Sequence, residues 1–349
     1  MEAQAMERPL LYFHELTQTQ EYDAEVERAA RSRFPAQGQL KLLIGELFFL
    51  NKLHRREMLA GATVVYIGSA PGGHIRYLVE HFRALGVPLR WMLLDGRSHD
   101  SRLQGLPDVT LVTRFVDERY LLRMRQALRG ARVVLISDIR SRRGSEPSTE
   151  DLLYDYALQN SMLSILKPVA SSLKWRCPFP DQWLHNFYVV CGKELLQPFA
   201  PPFSAELRLL SVHAGAPRLR CIMPAAARDY EKKMFYLNNV IRRRIVLNFD
   251  YPNQEYDFFH MFHLLNTVLC PRSFDSPTKK VLFLQQSIFR FLGIQLPLPE
   301  KLPLPEKLPL PERPRKHEPA QRGVPGQDPV SEGRGRAKPV RGRQQGAAE

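Results

Sequence analysis

Between residues 63 and 175 the chain alternates short β-branched runs with segments whose apolar residues recur at helical spacing. TVVYIG (63–68), RWMLLD (90–95), VTLVTRF (109–115), RVVLISD (132–138) and VASSLKW (169–175) read as strands. Residues 74–85, 117–128 and 151–166 read as helices. Such alternation leaves few solutions, because the strands must collect into one sheet that the intervening helices cover. The fold class that follows is α/β, a mixed, mostly parallel sheet flanked by helices. Upstream, QLKLLIGELFFLNKL from Gln39 adds a strongly apolar helix. Downstream, NFYVVCG (186–192) and AELRLLSVHAG (205–215) read as strands that give the sheet antiparallel members. Further helices are predicted over 230–246, 255–269 and 279–293.

The flanks differ from this core. Residues 1–36 mix acidic and aromatic side chains and are expected to form an arm packed on a domain spanning 37–293. Beyond it come three hexads, LPLPEK (296–301), LPLPEK (302–307) and LPLPER (308–313). Proline at every second or third position excludes helix and regular sheet, so 294–349 is expected to be a disordered, proline- and arginine-rich tail. A docking role for the repeats is the alternative.

The formal net charge is +14, and the 54 residues of 296–349 hold 11 basic against 7 acidic side chains, so most of the excess belongs to the folded part. Such an excess favours a polyanionic partner through counterion release, RNA or DNA first, with a plain basic surface as the alternative. The four cysteines form no C-x-x-C pair, which argues against a zinc ribbon or a disulfide scaffold. No metal site is expected. The N-terminus lacks the apolar stretch of a signal peptide and no run of about 18 apolar residues occurs, so a soluble, cytosolic protein with no membrane partner is expected.

The first strand ends in a turn, VVYIGSAPGGH (64–74). A dinucleotide site would want G-x-G-x-x-G; here the middle glycine is missing and a proline sits inside. No Lys-Ser or Lys-Thr follows, so a P-loop is also disfavoured. Asp95 ends the next strand, 23 residues after Gly72. A carboxylate there suits the two ribose hydroxyls of an adenosine, and a turn with no diphosphate to hold suits S-adenosylmethionine. A tight βα turn with an acid capping a strand is the bland alternative.

VVYIGSAPGGHIRYL, WMLLDGR, LVTRFVDE, VLISDIRSRRG, SSLKWRCPFPDQW and NFDYPNQEYD together closely resemble the poxvirus cap-specific mRNA 2'-O-methyltransferases, which also serve as regulatory subunits of the viral poly(A) polymerase. The resemblance runs from about residue 10 to 293 and leaves the tail outside. It implies a Rossmann-like methyltransferase fold and methylation of the ribose 2'-hydroxyl of the first transcribed nucleotide of capped mRNA. At Gly73 a larger polar residue would be expected, which bears on contacts to the methionine end of the cofactor.

Moving a methyl group onto a ribose hydroxyl requires a base beside that oxygen. The resemblance implies a Lys-Asp-Lys-Glu tetrad, found here as Lys41, Asp138, Lys174 and Glu206. Lys174 would be the base and Lys41 a cation lowering its proton affinity, with Asp138 and Glu206 orienting the lysines and the ribose. Without the resemblance, Lys41 reads as a solvated helix lysine and Asp138 as a loop cap. The cofactor contacts it implies are Gln39, Tyr66, Gly68, Gly72, Asp95, Arg97, Val116 and Asp138.

For the positively charged 7-methylguanine, the resemblance implies Tyr22 and Phe179 as a stacking sandwich, with Asp181 and Glu231 reading the base edge. Arg176 and the stretch Ser204, Ala205 and Glu206 would contact the first nucleotides. Read bare, Phe179 is equally a core anchor, Glu231 a solvated helix residue and Tyr22 an arm residue of no derivable position. The implied partners are capped mRNA, single-stranded RNA, a poly(A) polymerase catalytic subunit in a heterodimer, and viral transcription factors. The implied location is the virion core and host cytoplasm. Two rivals are a non-catalytic RNA-binding subunit with a relic cofactor site, and a nucleotide-dependent oxidoreductase.

Overall fold

The computed structural model describes residues 3–5, 7–29, 37–141, 147–247 and 249–295. The LPLPE repeats and everything after them lie outside the described residues, as do residues 30–36 of the arm. The N-terminal segment holds a strand β1 (Ala3–Ala5) and a short helix α1 (Ala24–Ala29). Then come α2 (Gly38–His54), β2 (Thr63–Ile67), α3 (Ile75–Ala84), β3 (Arg90–Asp95) and β4 (Val109–Thr113). They are followed by α4 (Glu118–Ala127), β5 (Val133–Ser137), α5 (Thr149–Leu166) and β6 (Ala170–Trp175). From β2 to β6 each element lies within two residues of its expected bounds.

Local chemistry sets several boundaries. Asp117 caps α4 by accepting from the Tyr120 amide, and Ser148 with Asp151 forms a reciprocal capping box at the start of α5. Helix α2 is apolar almost all round, so it is buried rather than amphipathic. Leu40, Leu43, Ile44, Leu47 and Leu50 are fully enclosed, each stabilising the fold by about 2 kcal/mol.

The remaining elements are β7 (Phe187–Val190), β8 (Lys193–Leu195), β9 (Leu207–Val212), β10 (Leu219–Ile222), α6 (Pro224–Tyr236), β11 (Ile245–Leu247), α7 (Tyr256–Asn266) and α8 (Pro277–Leu292). The seven-stranded sheet has the order β4-β3-β2-β5-β6-β9-β8. From β4 to β6 the strands are parallel; β9 runs antiparallel to both β6 and β8. The expected α/β class is therefore what forms. The chain starts the sheet at β2, builds outward to β4, and returns to β5 on the other side of β2. The strand order thus reverses between β2 and β5, where the carboxyl ends of an open sheet leave a crevice.

Two expectations need correction. NFYVVCG does not join the main sheet: β7 pairs with β10 in a separate two-stranded sheet. In β7 the Tyr188 side chain is exposed while Phe187, Val189 and Val190 are buried, whereas β9 is buried along nearly its whole length. A strand that keeps a residue in solvent suits the surface pair, and one enclosed on both faces suits the covered sheet. The helix read over 230–246 begins earlier, at Pro224, and ends in a wide helical turn over Leu237–Ile241. Ile245–Leu247 leaves it to pair with β1. Arg242 fixes that exit through a two-pronged pair with Asp257 (Nη2–Oδ2 2.7 Å, Nε–Oδ1 3.1 Å).

Candidate active site

The turn after β2 and the chain after β5 touch across the switch point. Gly68 has φ +83°, and a Cβ there would lie 2.7 Å from the Asp138 carbonyl carbon and the Ile139 nitrogen. Only glycine permits both the angle and the approach. The glycine expected to admit a ligand's backbone approach therefore admits the protein's own chain, and in doing so sets the turn beside Asp138. Asp95 fastens the other side of the turn. Its Oδ2 accepts from the Ala70 amide (3.0 Å) and its Oδ1 from the Arg97 amide (2.9 Å), while Arg97 Nη2 donates to the Ala70 carbonyl (2.7 Å). The Arg97 side chain adds a second, longer donor to each oxygen, Nε to Oδ1 (3.2 Å) and Nη2 to Oδ2 (3.4 Å), so a ribose hydroxyl would take the place of one of these outer bonds.

Gly72, with φ +71°, closes the turn. Gly73 has ordinary φ, and a Cβ there would sit 3.3 Å from Arg102 Nη2 and 3.4 Å from Asp100 Oδ2. The Asp100–Arg102 ion pair (2.6 Å) thus flanks the position where a larger residue was expected. Val116 is half-buried against the core beside the exposed Phe115, whose ring lies over Gly96. Gln39, on the first turn of α2, and Tyr66, in β2, are joined through two buried residues the sequence reading missed, His74 and Glu46.

At the carboxyl ends of β5 and β6 the four tetrad residues meet. Lys174 Nζ lies 3.0 Å from Asp138 Oδ1 and 3.2 Å from Glu206 Oε2, and Lys41 Nζ lies 2.7 Å from Glu206 Oε1. The solvated-lysine reading of Lys41 is wrong: the residue is buried, because Glu206 meets it inside. Arg208 is a fifth member that the sequence reading missed. Its Nη2 lies 2.5 Å from Asp138 Oδ1 and 3.6 Å from Glu206 Oε1. Strand periodicity is the signal that points to it, because residues 206 and 208 share a face. The β6–β9 register sets Lys174 directly opposite Arg208. Two facing cations repel, and Asp138, within reach of both, offsets that repulsion.

These charges settle each other. Burial would push the Glu206 carboxyl up, but Lys41, Lys174 and Arg208 outweigh it and hold it well below the usual carboxylate range. Asp138 is likewise lowered, burial being outweighed by Lys174 and Arg208. Burial drives the Lys41 ammonium below the ordinary lysine range; Glu206 opposes this, and Arg208 and Lys174 add to it. Both carboxylates are thus ionised. With Lys41 and Arg208 charged the cluster is neutral when Lys174 is a free amine, and carries one excess positive charge when it is an ammonium. Arg140 Nη2 also reaches Glu206 Oε2 (3.1 Å) from the cleft side.

Helix α5 braces this arrangement. Gln159 Nε2 donates to the Lys174 carbonyl (3.2 Å), and Asp155 accepts from the Ser141 amide (2.9 Å). Burial raises the Asp155 carboxyl above its usual range, against that hydrogen bond. Asp155, Tyr156 and Gln159 line a cleft with Arg140, Lys174 and Arg176.

Of the residues expected for the cap base, Tyr22, Asp181 and Glu231 gather at α6. The arm runs along that helix, with the Gln20 amide donating to the Lys232 carbonyl (3.2 Å) and Lys232 pairing with Glu21 (2.5 Å). This places Tyr22, half-exposed, edge-on to Phe235 (5.5 Å between centroids). Its hydroxyl donates to Glu27 (2.6 Å), and its pKa is pushed up to about 12, by that bond first. Glu231 lies near Asp181 and Glu21; burial, then those two carboxylates, raise its pKa. Phe179 does not touch Tyr22 among the described residues; the Arg176 guanidinium lies 4.8 Å from its ring centre. The stretch 204–206 is pinned from α6, Tyr230 donating to the Ala205 carbonyl (2.5 Å), and Ser204 Oγ accepts from the Glu206 amide (3.3 Å).

Among the described residues no group of His, Cys, Asp or Glu is arranged to hold a metal, and no helix is long and apolar enough to cross a membrane. The family model described as poly A polymerase regulatory subunit matches residues 5–294. The chain is 54% identical to the cap-specific mRNA (nucleoside-2'-O-)-methyltransferase of myxoma virus (strain Lausanne), over 99% of either chain. It is 56% identical to the protein of the same name from fowlpox virus (strain NVSL), over 83% of this chain and 96% of that one. The myxoma virus alignment takes in the proline-rich extension, which the resemblance had left outside. A family match spanning the whole described core, with relatives above 50% identity, fixes the lineage: the chain belongs to the poly(A) polymerase regulatory subunit family.

Proposed function

We propose that this protein methylates the ribose 2'-hydroxyl of the first transcribed nucleotide of 7-methylguanosine-capped mRNA, using S-adenosylmethionine. One observation carries the reading. The buried cluster of Lys41, Asp138, Lys174, Glu206 and Arg208 stands at the carboxyl ends of β5, β6 and the approach to β9, against a glycine turn. The donor set fits the cofactor. Asp95 offers a carboxylate whose bonds to the exposed Arg97 side chain ribose hydroxyls would replace, Gln39 offers an amide, and the arginines nearest the turn, Arg97 and Arg102, are each paired with an aspartate rather than aimed at a diphosphate. When bound, the cofactor supplies a methyl group on a positively charged sulfur, which leaves as a neutral thioether.

The chain's own residues do the rest. Lys174 Nζ, as the free amine, takes the hydroxyl proton as the oxygen's electron pair bonds to the methyl carbon. Asp138 and Glu206 then hold the resulting ammonium from two sides. Lys41 and Arg208 keep both carboxylates ionised, so neither competes for the proton. Holding the acceptor in line supplies much of the remaining rate. Tyr22 and Phe179 would stack the methylated base, with Asp181 and Glu231 facing its positive charge. Arg176, with Ser204, Ala205 and Glu206, would position the first nucleotides.

The family description also supports a second role, as the regulatory subunit that raises the processivity of a poly(A) polymerase catalytic subunit in a heterodimer. Viral transcription factors are further partners on this reading, and the virion core and host cytoplasm its location. Residues 1–36 act as the arm, 37–293 as the methyltransferase domain, and 294–349 as an extension dispensable for methyl transfer, which truncation after Ile294 tests.

The central test is transfer of label from S-adenosylmethionine to a short capped RNA, with wild type and Lys174→Met. The same RNA already methylated at its first 2'-hydroxyl is the control. Label with wild type on the free hydroxyl only is the expected result. No label from a folded, cofactor-binding wild type would leave a non-catalytic RNA-binding subunit as the better reading.

A further inference from the structure

Gln39 and Tyr66 are tied together by a chain of buried polar groups. Tyr66 donates its hydroxyl to Glu46 Oε1 (2.6 Å), His74 Nε2 lies 3.0 Å from Glu46 Oε2, and His74 Nδ1 lies 2.8 Å from Gln39 Oε1. Gln39 Oε1 also accepts from the His74 backbone amide (3.2 Å). Glu46, Tyr66 and His74 are 3%, 1% and 1% exposed. Gln39 and Glu46 are seven residues apart on α2, two turns on one face, so the imidazole is gripped from both ends.

The orientation of the Gln39 amide follows from this grip. A backbone amide is a donor only, so the atom facing it must be the amide oxygen. Because that oxygen also faces Nδ1, Nδ1 must carry hydrogen. One further proton lies between Nε2 and Glu46 Oε2. With its oxygen spent on His74, Gln39 turns its NH2 group to the opposite side. Gln39 Oε1 itself lies 3.5 Å from where a Cβ on Gly73 would be, so the amide stands against the glycine turn. Burying an ionisable pair generally stabilises no more than apolar residues of the same shape would. What the pair does provide is a single orientation for one amide.

The geometry points to His74 and Glu46 as positioning residues: they lock the Gln39 amide with its NH2 toward the ligand, where it recognises the carboxylate of the cofactor's amino-acid end. This rests on the S-adenosylmethionine reading of the site, which assigns Gln39 to the cofactor but gives His74 and Glu46 no part.

Two neutral ligands isolate that contact. S-adenosylhomocysteine and 5'-methylthioadenosine share the adenosine and thioether and differ in the amino-acid arm. Calorimetric affinities for both are measured on wild type, His74→Leu, His74→Asn and Gln39→Ala. A hydrogen bond to a charged group contributes about 1.5–3 kcal/mol, on the order of tenfold or more in affinity. His74→Leu should therefore lose that factor for S-adenosylhomocysteine and leave 5'-methylthioadenosine unchanged. His74→Asn, whose amide nitrogen falls near the Nδ1 position, should recover part of the loss. Gln39→Ala, at a half-buried helix start where alanine keeps the helix, should reproduce the Leu pattern even if His74→Leu unfolds. Equal weakening of both ligands in Gln39→Ala and in the folded His74 variants, or no weakening at all, overturns the inference and leaves the cofactor reading standing. A wild type that binds neither ligand overturns both.

Discussion

Replacing Arg208 by methionine is the sharpest probe of the charge cluster. Arg208 is 3% exposed and donates to Asp138 Oδ1 (2.5 Å), the Ser137 carbonyl (3.2 Å) and Gln197 Oε1 (3.3 Å). Methionine keeps much of the volume and removes the charge. Deleting one partner of a buried ion pair costs about 3–5 kcal/mol. Asp138 keeps Lys174 at 3.0 Å, so its charge is not orphaned and the low end, about 3 kcal/mol, is expected, including the donor lost by each of the two other acceptors. Against a typical total of about 5–15 kcal/mol the variant stays folded. Methyl transfer should fall much further than the folded fraction does, because Asp138 loses one of the two groups that hold it and so positions Lys174 less tightly. A displacement of about 1 Å costs on the order of 100-fold in rate. Arg208→Lys keeps the charge but reaches one acceptor instead of three, so it should fall between. Urea denaturation and single-turnover transfer at saturating cofactor make the comparison. A variant as stable and as active as wild type would refute the reading, as would a rate loss no larger than the loss of folded protein.

Burial lowers the pKa of His81 and of His260 to about 4. Their unfolded forms protonate first, so stability intact above pH 6.5 is lost as the pH falls toward 4, by about 2 kcal/mol per histidine at pH 5. Denaturant curves at pH 7 and 5 should show it, and a flat profile would refute it; Asp155 and Glu231, raised in pKa, act in the opposite sense. Because Glu231 titrates above the ordinary glutamate range, 7-methylguanosine affinity should weaken on acidification before an ordinary glutamate would protonate, and Glu231→Gln should flatten that profile in fluorescence titration. Gly68→Ala places a Cβ 2.7 Å from the Asp138 backbone at φ +83°, so it should destabilise by about 3 kcal/mol or more and abolish methyl transfer; thermal melts and the transfer assay check both.

The alternation from β2 to β6 is legible in the sequence because periods of 2 and 3.6 are local properties, fixed by which face of each element is apolar. The glycine turn and the acid after β3 are legible for the same reason. Lys174, a charge in an apolar strand, stands out on its own, and the resemblance supplies its partners. What only the tertiary structure decides is which charges share a low-dielectric pocket. Lys41 comes from a helix outside the alternating units, and Glu206 and Arg208 from the residue before an antiparallel strand and from its start, some 70 residues beyond Asp138. A buried charge is tolerated only where opposite charges arrive from elsewhere in the chain, and no local window holds that information. The same holds for His74 and Glu46, which read as a turn residue and a helix acid until α2 packs against β2. It holds for Tyr22, which the arm carries to α6, and for Gly68, whose necessity is the backbone of Asp138 rather than any ligand. Strand β7 shows the complementary limit: its pattern announces a strand, but its pairing with β10 rather than with the main sheet is decided by contacts between distant segments.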